Sequence, residues 1–390
     1  MNTQITVPEH ARAAEARHLV QVYAQLGIEP VSAAGVHIQC RDRQILDLYG
    51  GHAVAGLGYA HPAILRALVE QAELLTFQTN AVALEIRARA AAKLAEFAPA
   101  GLDQVFFVNT GAEANENALR IALKHTKRER ILAIEHGFHG RSAAAGAVTW
   151  GAAQKWYAFP RTPFDVAFIG RNDSTAAQEM IDGDTAAVIV ELVQGVAGAY
   201  ALEREFAETL ASRCAETGAL LIVDEVQSGM GRSGHPFTAQ AYQIRPDLLT
   251  VAKSLGAGFP CGAVLMTSEI AAHLDTGDLG TTFGGGPLAC ALIETVIDEI
   301  IANDLMENVR VVSAALLDAL PVGPVESAQG MGFLMGLRCS APAKVVRDAL
   351  LERGILVGTS ADPAVIRLLP PLVLEQTHIE ELIDALADMG

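Results

Sequence analysis

Two six-residue runs, Ala186–Glu191 (AAVIVE) and Ala219–Asp224 (ALLIVD), are apolar at every position until a carboxylate ends them. A strand with one wet face alternates apolar and polar residues, whereas a strand that does not alternate has both faces covered, as in parallel sheets flanked by helices. The neighbouring sequence supplies those helices. Strands are expected at 104–108, 130–134, 186–191, 219–223, 248–251 and 262–266, with helices over 83–97, 112–125 and 204–216. Such alternation marks an α/β fold around a mostly parallel sheet. After about residue 295 the pattern changes to a helix over 296–320, strands near 331–338 and 365–369, and helices near 343–353 and 377–388. This tail reads as a smaller α+β domain, and a leading helix is read over 12–27. A chain of 390 residues exceeds the roughly 250 to 300 at which single cores stop growing, so a large domain plus a smaller one is expected.

Composition excludes several classes of function. A formal net charge of -17 opposes nonspecific binding to nucleic acid, whose phosphates require clustered cations. No apolar run approaches the roughly 20 residues that span a bilayer, so no membrane segment is expected. The amino-terminal MNTQITVPEHARAAEARH is polar and contains acids, unlike a secretory or transit peptide, which makes the cytoplasm the expected location. Cys40, Cys214, Cys261, Cys290 and Cys339 form no CxxC pair and have no histidine at ligand spacing. They read as buried reduced thiols rather than a metal site.

In open α/β sheets, ligands gather beyond the carboxyl ends of the strands. The strand at 104–108 is followed by Asn109-Thr110-Gly111-Ala112-Glu113-Ala114-Asn115, a small-residue turn opening a helix. Free amides there attract an anion such as a phosphate, although an ordinary helix cap by Asn109 or Thr110 accounts for the turn equally well. The strand at 130–134 leads to His136-Gly137-Phe138-His139-Gly140-Arg141. Glu191 and Asp224 end their own strands, and Lys253 ends the next, 29 residues after Asp224. An unpaired ammonium is costly to desolvate, so Lys253 either reaches into water or is spent chemically. A lysine, a carboxylate and a phosphate cradle on one rim meet the needs of pyridoxal phosphate: a Schiff-base amine, a partner for the pyridinium nitrogen, and an anion site. Phe138 and Val226 could cover the two ring faces, and Gln227 could reach the ring oxygen.

With these motifs in order over some 320 residues, the chain resembles the class III (subgroup II) aminotransferases of fold type I, within them the acetylornithine and succinylornithine aminotransferases. The matching stretches are LDLYGGHAVAGLGYAHPAI, FFVNTGAEANENALR, HGFHGR, VDEVQSGMGRSG, AKSLGAGFPCGAV, TTFGGGPLAC and RLLPPL. The resemblance implies a large domain over 46–295 with a seven-stranded, mostly parallel sheet, a small α+β domain over 296–390, and an amino-terminal segment, 1–45, packed on the latter. It implies that Lys253 forms the Schiff base and shuttles the proton, that Asp224 pairs with the pyridinium nitrogen, and that Gly111 and Ala112 donate amides to the phosphate. Thr110, Phe138, His139, Glu191, Val226 and Gln227 complete the expected cofactor shell. Thr282 is similar to a threonine that completes the phosphate site of the neighbouring subunit, which implies a homodimer; a β-turn hydroxyl capping its own loop is the alternative. Arg141 matches an arginine for the α-carboxylate of acylated ornithines, and Arg367 one for the α-carboxylate of glutamate and 2-oxoglutarate.

Departures from the family pattern fall near the substrate. The stretch usually written E-P-x-Q-G-E-x-G carries Val196 at its second glutamate, the group that masks the glutamate-binding arginine; without it Arg367 is expected to stay open, or another group to mask it. His52 replaces an apolar residue and could read a polar acyl tail, or be a structural histidine. Gly286 replaces the asparagine of GGNP. The expected reaction moves the distal amine of N-acetylornithine or N-succinylornithine to 2-oxoglutarate. Val196 keeps open a broader ω-amine transaminase using diamines, 4-aminobutyrate or pyruvate. A catalytically silent regulator on the same fold is the rival from another class, opposed by the joint presence of Lys253, Asp224 and Gln227.

Overall fold

Strand β5 (Leu220–Asp224), the run that ends in Asp224, is buried along its whole length. Leu220 and Ile222 pack on one face with Leu119 and Ile131, while Leu221 and Val223 pack on the other with Leu132 and Phe206. Cover on both faces is why the run does not alternate. A computed structural model describes residues 11–389 of the chain. Its central sheet contains β1 (Gln104–Val108), β2 (Arg130–Ile134), β3 (Asp165–Ile169), β4 (Thr185–Val190), β5, β6 (Leu248–Val251) and β7 (Gly262–Met266). The spatial order is β1-β7-β6-β5-β4-β2-β3. Every pairing is parallel except those of β7, which runs antiparallel to β1 and to β6. The segments after β1, β2, β4, β5 and β6 therefore emerge on one rim.

A second sheet is antiparallel, ordered β8 (Val325–Met331), β9 (Leu334–Cys339), β11 (Val365–Leu368) and β10 (Gly358–Thr359). Strands Pro30–Ala34, His37–Cys40 and Gln44–Asp47 form a third sheet that Ile355–Leu356 joins in parallel. Among the described residues, no helix is long and apolar enough to cross a membrane.

Local expectations failed in three places, each for a physical reason. Strand β3 was not expected although four of its five residues (DVAFI) are apolar: it is the half-exposed edge of the sheet, and a run this short carries no helix-or-strand periodicity of its own. The helix expected over 296–320 is two helices, Pro287–Ala302 and Leu305–Asp318, divided where Asp304 turns left-handed at φ +48°. The first of these starts at a proline, a favoured opening residue, and runs through residue 295. The leading helix stops at His18 instead of 27. None of its residues is buried, and Leu19, Val20, Val22 and Tyr23 beyond it are exposed, so no packing rewards further turns.

Removing buried volume from the middle of the central sheet should be costly. Ile222→Ala is expected to lower stability by about 2–5 kcal/mol, seen as a lower denaturation midpoint, whereas Val166→Ala on the half-exposed edge strand should cost about 1 kcal/mol or less. Equal losses would contradict the layering described.

Candidate active site

The strand ends converge on a cavity of about 470 Å³. Its walls include Thr110, Gly111, Ala112, Phe138, His139, Arg141, Glu191, Val196, Asp224, Val226, Gln227 and Lys253. Arg367, His52 and Thr282 are not on those walls.

Asp224 sits at the cavity with its carboxylate buried. The Val226 amide donates to Oδ1 at 2.9 Å, and the Asn115 side chain donates to Oδ2 at 2.7 Å. His139 Nδ1 lies 2.8 Å from the same Oδ2. Asn115 also donates to the His139 carbonyl at 2.7 Å, while Thr250 on β6 donates to Asn115 Oδ1 at 2.7 Å. His139 Nε2 is buried without a partner. Asn115 and Thr250 received no role from sequence, although Asn115 is a polar residue on a helix face otherwise made of Ala114, Ala118 and Leu119. That break in the apolar face was the available signal.

Lys253 follows β6 in a short 3-10 turn at φ +48°, a left-handed conformation that lysine adopts only at a cost of roughly 1–2 kcal/mol. The surface it keeps faces the cavity, and no protein group hydrogen-bonds its amine among the described residues. Burial pushes its pKa down to about 8, with Asp224 and Glu191 pulling against that and Arg367 and Arg232 adding to it. Glu191, also buried, accepts from the Phe138 amide at 2.8 Å and from the Gly195 amide at 3.2 Å. Burial pushes its carboxyl up, against the pull of His139.

The helix α1 (Gly111–Thr126) opens onto the cavity. Thr110 caps it by accepting from the Glu113 amide at 3.1 Å, and the Glu113 carboxylate returns to the Asn109 amide at 2.8 Å. Among the described residues the Gly111 and Ala112 amides have no protein acceptor, an arrangement that binds anions. A Cβ at residue 111 would come 2.6 Å from Val226 Cγ1, so the cradle depends on glycine there. These features fit pyridoxal phosphate: free amides for its phosphate, the Phe138 and Val226 side chains beside its ring, a firmly held carboxylate for its nitrogen, and an amine for its aldehyde.

Arg367 lies on β11, where its cross-strand neighbours are Gly336 and Gly358. A Cβ at 358 would come 1.9 Å from the Tyr49 ring, so this glycine makes room for the tyrosine. Buried Arg367 donates to the Thr359 carbonyl at 2.8 Å, to the Gly195 carbonyl at 3.1 Å and to the Tyr49 hydroxyl at 2.8 Å, with Gln227 Oε1 at the 3.5 Å limit. All four acceptors are neutral. Tyr49 was missed in the sequence because nothing in the spacing ties it to residue 367. It is positioned by Asp47, whose Oδ1 accepts from the Tyr49 and Gly50 amides at 2.7 and 3.0 Å. The turn that follows, Gly50 to Ala53, is left-handed at each residue, including His52 at φ +66° and Ala53 at φ +68°. The His52 ring leans on Tyr49 at a 55° tilt with centres 4.7 Å apart, and its pKa is pushed down by partial desolvation and then by Arg367 and Lys253. Exposed Thr282 lies away from its own chain's cavity, next to Thr281, whose hydroxyl accepts from Asn109 at 3.3 Å.

Residues 22–389 match the family described as aminotransferase class-III. The chain is 39% identical over 380 residues to an acetylornithine aminotransferase of Methanopyrus kandleri, across 95% of this chain and 96% of the relative. It is 36% identical over 381 residues to a succinylornithine transaminase/acetylornithine aminotransferase of Pseudomonas aeruginosa, across 94% and 93%. Its backbone is similar to that of the ornithine aminotransferase of Toxoplasma gondii, whose active site holds pyridoxal phosphate at partial occupancy, with TM-score 0.92 and 27% identity across 99% of this chain and 95% of that one. The chain belongs to the class-III aminotransferases, pyridoxal-phosphate-dependent transferases of fold type I.

Proposed function

We propose that this enzyme moves the distal amino group of N-acetylornithine or N-succinylornithine to 2-oxoglutarate, giving the semialdehyde and glutamate. The observation that carries the reading is one cavity holding an unpartnered lysine amine and a carboxylate fixed by three donors. The names of the relatives support the donor class. In this reading Gly111, Ala112 and Thr110 hold the phosphate, Phe138 and Val226 the ring faces, Gln227 the ring hydroxyl and Asp224 the ring nitrogen. Thr282, exposed and off its own cavity, completes the phosphate site of a second copy, so the working unit is a homodimer in the cytoplasm.

Pyridoxal phosphate, when bound, supplies an aldehyde that exchanges amines and a ring that draws electrons from the carbon bearing the amine. Lys253, with its pKa brought down to about 8, takes a proton from that carbon and returns it. His139 and Asn115 hold Asp224 in place behind the ring. Arg141 receives the α-carboxylate of the acylated amine through a planar fork. Arg367 receives that of glutamate and 2-oxoglutarate, its neutral partners leaving its charge uncompensated until a carboxylate arrives. His52, against Tyr49, borders this second carboxylate site.

Val196, an apolar residue on the cavity wall, favours a second reading, a broader ω-amine transaminase. Rates on acylornithines, putrescine and 4-aminobutyrate, with 2-oxoglutarate and pyruvate as acceptors, separate the two. Absence of turnover on every acylornithine would overturn the first.

Lys253→Ala is expected to lose the visible absorbance of lysine-bound cofactor and to lower turnover by ~10²–10⁴-fold or more. A depressed lysine pKa means a protonated amine below about 8 and a free one above, so capture of pyridoxal phosphate by the apoprotein should accelerate as pH rises through about 8. A rate still climbing only near pH 10 would show an ordinary lysine. Asn115→Ala strips a donor from Asp224 and orphans Thr250. It should cost about 1–3 kcal/mol of stability by denaturant titration and lower kcat more than it changes KM.

A further inference from the structure

Beyond Val196 lies a second cavity, of about 510 Å³, which shares Phe138, Arg141 and Val196 with the first. Three cations line it, Arg141, Lys155 and Arg171, and none has a carboxylate within ion-pair distance among the described residues. Arg171 is already held in one orientation: its Nε donates to Gln194 Oε1 at 2.7 Å, and its guanidinium lies 4.2 Å from the centre of the Tyr200 ring. Among the described residues its two Nη groups make no hydrogen bond. Arg141 rests on Trp156 at 5.0 Å. Of the acidic groups nearby, Glu135 acts on Arg171 without forming an ion pair among the described residues, and two others are committed elsewhere. Asp362, the carboxylate on the chamber wall, pairs with Arg338 at 2.8 Å and accepts from the Tyr200 hydroxyl at 3.0 Å, and Glu191 is taken by the Phe138 and Gly195 amides.

A chamber with a surplus of oriented cations and aromatic walls suits an anion carried on an apolar stem, because low-dielectric walls strengthen each charge contact. The shared arginine sets the direction. A substrate whose α-carboxylate is on Arg141 can extend its acyl group past the apolar Val196 toward Arg171. We propose that this chamber is an acyl-tail subsite and that the preferred amine donor carries a second carboxylate at the end of its acyl group, bound by Arg171 with Lys155. This rests on the acylornithine reading above and selects the succinyl over the acetyl substrate.

The chain's two tryptophans, Trp150 and Trp156, both line the chamber, so their emission reports its occupancy directly. N-succinylnorvaline and N-acetylnorvaline, which lack the reacting amine, are titrated into the holoenzyme. The succinyl compound should perturb the emission with a Kd at least about tenfold lower, the range of one hydrogen-bonded charge contact. Arg171→Gln should remove that advantage, and in kinetics it should raise KM for N-succinylornithine by a similar factor while leaving N-acetylornithine unchanged. Lys155→Met, at an exposed residue, keeps the test if the arginine variant fails to fold, and Val196→Glu should reduce the succinyl preference by placing an anion on the shared wall. Equal affinity for the two analogues, or a preference that survives both cation substitutions, overturns the subsite. So does a raised KM for 2-oxoglutarate with the acyl preference intact, which would give the chamber to the keto acid. Succinyl-selective binding without turnover of either acylornithine would instead sink the proposed reaction and leave the subsite standing.

Discussion

A carboxylate at the end of a strand buried on both faces is stable only where donors replace the water it has lost. At Asp224 those donors come from different parts of the chain: Asn115 from helix α1, His139 from the loop after β2, and Val226 from the turn after β5. Thr250 holds Asn115 from β6, the strand that leads to Lys253. The network that satisfies one acid therefore registers the cavity-facing helix, the aromatic loop and the lysine strand against one another. Such a network locks geometry because leaving any member unpaired in this dry setting is expensive.

Two left-handed segments meet where the rim approaches the second sheet. The left-handed turn Gly50–Ala53 and the left-handed Lys253 approach each other, and Ser254 Oγ donates to the Ala53 carbonyl at 2.6 Å. Glycine at 50 is required twice over, by its φ of +53° and because a Cβ would come 2.6 Å from the Leu369 carbonyl oxygen. His52 and Ala53 have no such excuse, so the surrounding contacts must hold them. Asp47 does part of this. Its own carboxyl is pushed up by burial, and it accepts from the Tyr59 hydroxyl at 2.5 Å as well as from the two amides that begin the turn. The strain places Tyr49 and His52 next to Arg367, outside any regular element.

The layered α/β core was legible because burial on both faces leaves a composition that nothing else produces, as in β4 and β5. That Asp224, Glu191 and Lys253 meet at one cavity was legible for a related reason: they stand out as charges ending apolar runs, and a strand end is the most predictable place in such a sheet. Strand β3 was overlooked although Val166, Ala167, Phe168 and Ile169 are apolar, because a five-residue run is too short to show a period. Tyr49 was invisible for a different reason. Its partner Arg367 is 318 residues away, and only the bare cross-strand position Gly358 lets the two meet. Contacts made by long-range packing leave no periodicity behind. Asn115 lies between these cases, visible as a polar break in an apolar helix face but mute about its purpose.

Charge balance gives the substitution at 196 its meaning. The protein carries a formal -17, yet the side chains around the cavities include Lys253, Arg367, Arg141, Arg171 and Lys155, while the local carboxylates Glu191, Asp224 and Asp362 are each satisfied by donors within the protein. A cleft with cationic walls inside an acidic protein concentrates anions that the outer surface repels. A glutamate on the shared wall would cancel part of that field from within and compete with any substrate carboxylate for Arg141 and Arg171. An apolar residue leaves the field intact and makes a passable wall for a methylene chain. With Arg367 held by neutral oxygens alone, its positive charge has no carboxylate partner within the protein, and in the proposed reaction a substrate carboxylate supplies one.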